Sequence, residues 1–157
     1  MPEDVGYIRV HSFFGLIESR YSESINMLYF LQTFHFADMN TLNRFSLTTI
    51  SARRANVRQL RLSYTLSFED RPAGEVAHEV RRMIEDSSSF PALKDFRIRL
   101  LIPPHVRRVT AQQTKRQIEK VLVSFPDTTH LSSFIVQAPW DGTTPPVVPY
   151  QLEIYPI

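Results

Sequence analysis

The stretch "VRQLRLSYTL", residues 57–66, decides how the rest of the chain is read. Leu60, Leu62, Tyr64 and Leu66 recur at every second position, with Arg61, Ser63 and Thr65 between them. Successive side chains of a strand point to opposite faces, so this is a strand with one side in a core and one side polar. "LKDFRIRLLI", residues 93–102, repeats the pattern with Phe96, Ile98 and Leu100 set against Arg97 and Arg99. "LSSFIVQA", residues 131–138, gives a third such strand, with Phe134 and Val136 inward and Gln137 outward.

Upstream, "RYSESINMLYFLQTFHF" (residues 20–36) places Tyr21, Ile25, Leu28, Tyr29 and Leu31 near helical spacing, then alternates over Thr33–Phe36. Asp38 is a good N-cap for a short helix carrying Leu42, Phe45 and Leu47. A helix over 72–86 has Val76, Val80, Met83 and Ile84 on one side, with Pro72 in its first turn, where a missing N–H costs nothing. Another opens at Thr110 and Gln113, a capping-box pair, and presents Ile118, Val121, Leu122 and Phe125 on one face. "PWDGTTPPVVP" (139–149) reads as a loop with Trp140 as an aromatic anchor, before a last alternating stretch, "YQLEIYPI".

Strands alternating with helices predict parallel strands joined by right-handed crossovers. Phe34, Leu60, Phe96 and Phe134, aligned as equivalent positions, stand 26, 36 and 38 residues apart. The first step lies within the roughly 20–29 residues of a leucine-rich repeat; the others are longer. The expected fold is therefore α/β: a short, irregular leucine-rich-repeat-like solenoid with mostly parallel strands backed by helices. A compact α/β sandwich with a parallel sheet is the competitor. The 157 residues favour a single domain over 1–157. Residues 1–19 are expected to be a poorly ordered or remnant N-terminal segment.

Composition narrows the function. No apolar run approaches the roughly 20 residues of a membrane span, and the acidic start Met1-Pro2-Glu3-Asp4 lacks the order of a secretory signal. The absence of cysteine fits a reducing compartment, so a cytoplasmic or nuclear protein is expected. A formal net charge of +2 is too small to imply nucleic acid unless one face concentrates it. There is no P-loop, no G-x-G-x-x-G and no G-x-S-x-G elbow. Glu75, His78 and Glu79 lie within one helical turn, but "AHEVRR" has no second histidine, and mixed charges on a solvated face explain it better. Ser87–Ser89, Asp127 and His130 sit at turns, and Arg53, Arg54, Arg107 and Arg108 read as solvated loop charges. No catalytic residue, metal ligand or cofactor is expected.

The positive set is Arg61, Arg97 and Arg99, which alternation places on the face opposite the core, near Ser63 and Gln137. These five form the candidate partner-binding surface, suited to carboxylate or phosphate through the planar arginine fork. The plainer alternative is that the arginines keep an exposed strand soluble while their stems cover apolar surface. Three functions compete: a non-catalytic module binding an acidic protein segment; a small accessory enzyme or ligand binder with a pocket in strand-end loops around Glu69, Asp70, His105 and Trp140; and nucleic-acid binding through the arginine stripe. The first is favoured.

The segment from Arg20 to Leu66 resembles a family of filamentous-fungal proteins that pair an F-box-like N-terminal motif with a domain of unknown function. The resemblance rests on Arg20, Tyr21, Ser22, Glu23, Ile25, Leu28, Tyr29, Thr33, Phe34, Phe36, Asp38, Leu42, Arg58, Leu60, Arg61 and Leu62. It implies a leucine-rich-repeat-like fold and a protein-binding, substrate-receptor-like role. Met1–Ser19 carries nothing like the "LPxEIRxxIY" helix with which such proteins usually begin, which suggests a shortened relative.

Overall fold

The computed structural model describes residues 20–66, 78, 81, 89–103, 111–125, 131–140 and 144–156. Its elements in chain order are α1 (residues 20–31), β1 (Thr33–Phe36), α2 (Met39–Thr48), α3 (Ser51–Arg54), β2 (Gln59–Thr65), β3 (Asp95–Leu101), α4 (Ala111–Ser124), β4 (Ser133–Trp140) and β5 (Gln151–Pro156). The five strands form one sheet in the order β1-β2-β3-β4-β5, and every neighbouring pair is parallel.

The four aligned apolar positions are neighbours across the sheet: Phe34 pairs with Leu60, Leu60 with Phe96, and Phe96 with Phe134. The next inward row runs Phe36, Leu62, Ile98, Val136 and Leu152. Parallel strands cannot be joined by tight turns, so each connection must cross one face. Met39 and Leu42 of α2, and Ile118, Val121 and Leu122 of α4 with Phe125 just beyond it, are buried in one cluster with those inward rows. The fold is thus α/β, a parallel sheet with helices on one side.

Local chemistry sets the element ends. Asp38, extended at φ −160°, accepts hydrogen bonds from the Thr41 N–H at 2.7 Å and the Thr41 hydroxyl at 2.9 Å, capping α2. Those bonds hold its carboxyl below the ordinary value of 3.8, the backbone N–H being the largest cause. The polar stretch after α2 is a short helix, α3, and Arg53 and Arg54 within it are half-buried rather than loop charges. The crossover from β4 to β5 has no helix among the described residues. Instead Val148 and Tyr150 pack on the core, and the Tyr150 hydroxyl donates to the Leu122 carbonyl at 2.6 Å, pinning the segment to α4. Burial raises that hydroxyl's pKa above the ordinary 10.0.

Three expectations change. Tyr21, Leu28 and Leu31 of α1 are exposed and Ile25 is half-buried, while Tyr29 packs on the core with its ring 5.2 Å from Phe34. Leu47 is 84% exposed, whereas Phe45 turns inward between Phe34, Phe36 and Phe90. Trp140 is the last residue of β4 and is 3% exposed, so it belongs to the core and not to a loop or a binding mouth. Its inward parity, two residues beyond Ala138, is the reason. Residues 1–19, Thr110 and most of 72–86 lie outside the described residues; His78 and Arg81 are helical and exposed.

Candidate functional site

The site is built by register. On the face away from the helices, β2 and β3 set Arg61 beside Arg97 and Ser63 beside Arg99. The next pairing puts Arg97 beside Ile135 and Arg99 beside Gln137. Arg61, Ser63, Arg97, Arg99 and Gln137 therefore meet on one surface. Paired residues on adjacent strands stand about 4.8 Å apart, and residues two apart along a strand about 6.6 Å. All three arginine stems thus rise from points no more than about 8 Å apart.

Like charges placed directly across a strand pair oppose folding. Among the described residues no hydrogen bond or ion pair neutralises Arg61 or Arg97. The carboxylate in the Arg99 row is Glu153, two strands away, and Gln137 stands between them, its amide bonded to Glu153 at 2.7 Å. Asp95 lies one row toward the strand starts, in line with Thr33, Gln59 and Ser133, where the Thr33 hydroxyl donates to Gln59 at 2.7 Å. Arg61 and Arg99 are exposed and Arg97 is half-buried. A hollow of about 290 Å³ is lined by His35, Arg61, Ser63, Arg97, Arg99 and Gln137. A second, of about 210 Å³, adjoins it through Arg61 and Arg97 and reaches Asp95 and Ser133.

Two residues of this face escaped the sequence reading. His35 pairs with Arg61 and extends the basic row to the sheet edge. Tyr155 enters through a defect in the sheet. The Ser133 N–H donates to the Lys94 carbonyl at 3.0 Å. Two residues per step along both strands, the donor due to the Leu100 carbonyl is residue 139, a proline with no N–H. The Tyr155 hydroxyl donates to that carbonyl instead. The anchored ring then lies 5.3 Å from the Arg99 guanidinium, a cation–π contact that helps set where Arg99 points. The signal was present as alternation in β5, but it became readable only once the direction and register of that strand were known.

A further arginine serves the scaffold. The Arg58 guanidinium lies 3.8 Å from the Phe30 ring centroid, and its carbonyl accepts from the Lys94 and Asp95 N–H groups at 2.9 and 3.0 Å. It ties α1 and β3 to the start of β2. Glu69, Asp70 and His105, the proposed rim of a strand-end pocket, lie outside the described residues, as do Glu75 and Glu79. Among the described residues no cluster of His, Cys, Asp or Glu is arranged to hold a metal, and no helix is long and apolar enough to cross a membrane.

A family profile described as a domain of unknown function, DUF7730, matches residues 15–147. The chain belongs to this family. No curated protein and no solved structure matches the chain. In this DUF7730 domain the matched span takes in β1 to β4 and all three arginines, and ends before Glu153 and Tyr155.

Proposed function

We propose that this DUF7730 domain is a non-catalytic protein-interaction module, a short leucine-rich-repeat-like solenoid that receives an acidic partner segment on its open sheet face. Arg61, Arg97 and Arg99 take the partner's carboxylates, and Ser63 and Gln137 border the contact. The observation that carries the reading is Arg61 beside Arg97, unneutralised among the described residues, on a sheet face that none of the described helices covers. A like-charge pair that costs stability and has no partner among the described residues is accounted for by a partner outside the fold. The strand order supports the solenoid reading, because each strand neighbours only the next in sequence, as stacked repeats do. The resemblance to proteins with F-box-like motifs implies a substrate-receptor-like role, and the absence of cysteine fits the cytoplasm or nucleus. A pocket enzyme has less support: open α/β sheets bind ligands where strand order reverses, and the order of the described strands does not.

The test is affinity capture from the native cell with the intact chain and with Arg61→Ala/Arg97→Ala/Arg99→Ala. The triple variant should keep its circular dichroism spectrum and lose an acidic partner. A partner set unchanged by the substitutions refutes the surface. Strong, salt-dependent retention on DNA or RNA would replace the reading with a nucleic-acid one.

A further inference from the structure

We infer that the triad Arg61, Arg97 and Arg99 is a site for a phosphomonoester carried on a protein segment, rather than for carboxylate alone; this rests on the partner-binding reading above. The argument is charge density and geometry. Arg61 and Arg97 are register neighbours, and Arg99 is two residues further along β3, so three guanidinium groups rise from one patch of sheet. A single carboxylate has two oxygens and one charge. It fills one arginine fork and leaves the adjacent cation uncompensated. A phosphomonoester carries about −1.5 to −2 charges on three terminal oxygens, enough to accept from more than one fork at once.

The surroundings suit that ligand. The hollow that holds the three arginines also holds the Ser63 hydroxyl and the His35 ring and, among the described residues, no carboxylate. Of the two nearby acids, Glu153 is held by Gln137 at 2.7 Å, and Asp95 stands one row away in the adjoining hollow, with no hydrogen bond or ion pair to Arg61 or Arg97. Arg99 is partly preorganised, because Tyr155 beneath it is anchored to the Leu100 carbonyl. Strands β2 and β3 are interior strands, each paired on both sides, which gives the patch a rigid base.

The test uses the full chain and four probes: a capped alanine peptide bearing one phosphoserine, the same peptide with serine, the same with paired glutamates, and a short poly-dT strand. Affinities are measured by fluorescence polarisation at fixed ionic strength. The phosphoserine peptide should bind about tenfold tighter than the paired-glutamate peptide. That preference should shrink in Arg97→Lys, which keeps the charge but loses the fork. Arg97→Ala should abolish it with the circular dichroism spectrum unchanged. Equal affinity for phosphoserine and paired glutamates overturns the phosphate assignment and leaves the acidic-segment reading standing. Absence of binding by all four probes to folded protein overturns both. Tighter binding of poly-dT than of the phosphoserine peptide overturns both in favour of a polynucleotide.

Discussion

Pro139 is the residue whose chemistry reaches furthest. Proline inside a strand removes a ladder donor, and here the carbonyl it deprives belongs to Leu100, a residue buried at the centre of the sheet. A buried carbonyl without a partner costs about 1–3 kcal/mol. The Tyr155 hydroxyl meets that need from β5, across β4. Tyr155→Phe should therefore lower unfolding stability by about 1–3 kcal/mol in urea titrations. Pro139→Ala restores an N–H at the right position, so in that background Tyr155→Phe should cost much less. An equal cost in both backgrounds would show that the hydroxyl does not stand in for the missing donor.

At the scale of elements, periodicity located the strands and α4, and for a physical reason. Leu60, Leu62, Phe96, Ile98, Phe134 and Val136 are all buried on one face, so strict alternation was the pattern that packing demands. Ile118, Val121, Leu122 and Phe125 are buried together in the same way. Helix α1 was harder, because Tyr21, Leu28 and Leu31 are apolar but exposed, and a residue's hydrophobicity does not say which of two apolar stripes finds a neighbour. The three arginines were legible because parity alone sets their face. Tyr155 was not, because its role depends on which strand lies beside β4. The cap of α2 was legible from Asp38 and carries a pH prediction. Its carboxyl is held below the ordinary 3.8, so the unfolded chain binds the proton more readily than the folded one. Stability from this group is complete above that value and is lost as pH falls below it through the lowered folded value. Asp38→Asn keeps a capping oxygen without the charge, so its stability should fall less steeply over that acid range. Parallel acid-unfolding curves for wild type and variant would contradict the cap's contribution.

For the whole molecule, the sequential parallel order separates two jobs by face. The described α2, α4 and the segment at Val148 and Tyr150 pack with the apolar rows, and the other face carries Arg61, Ser63, Arg97, Arg99 and Gln137 around Ile135. Neighbouring positions of the same strand should then respond to substitution in opposite ways. Ile98 is fully buried in β3, and Ile98→Ala should cost about 2–5 kcal/mol through lost burial and the cavity left behind. Arg97, one residue earlier, faces away from the core beside Arg61. Removing its charge relieves repulsion, so Arg97→Ala should leave stability unchanged or slightly higher in low salt. Added salt screens the same repulsion, with a Debye length of about 10 Å at 0.1 M and 3 Å at 1 M. Between those conditions, urea unfolding of the wild type should gain more stability than that of Arg97→Ala. A surface that gains stability when its arginine is removed, yet loses its partner by the same substitution, has its sequence set by binding rather than by folding. If Arg97→Ala instead destabilises as Ile98→Ala does, the arginine stem supports the sheet, and the open face is part of the scaffold.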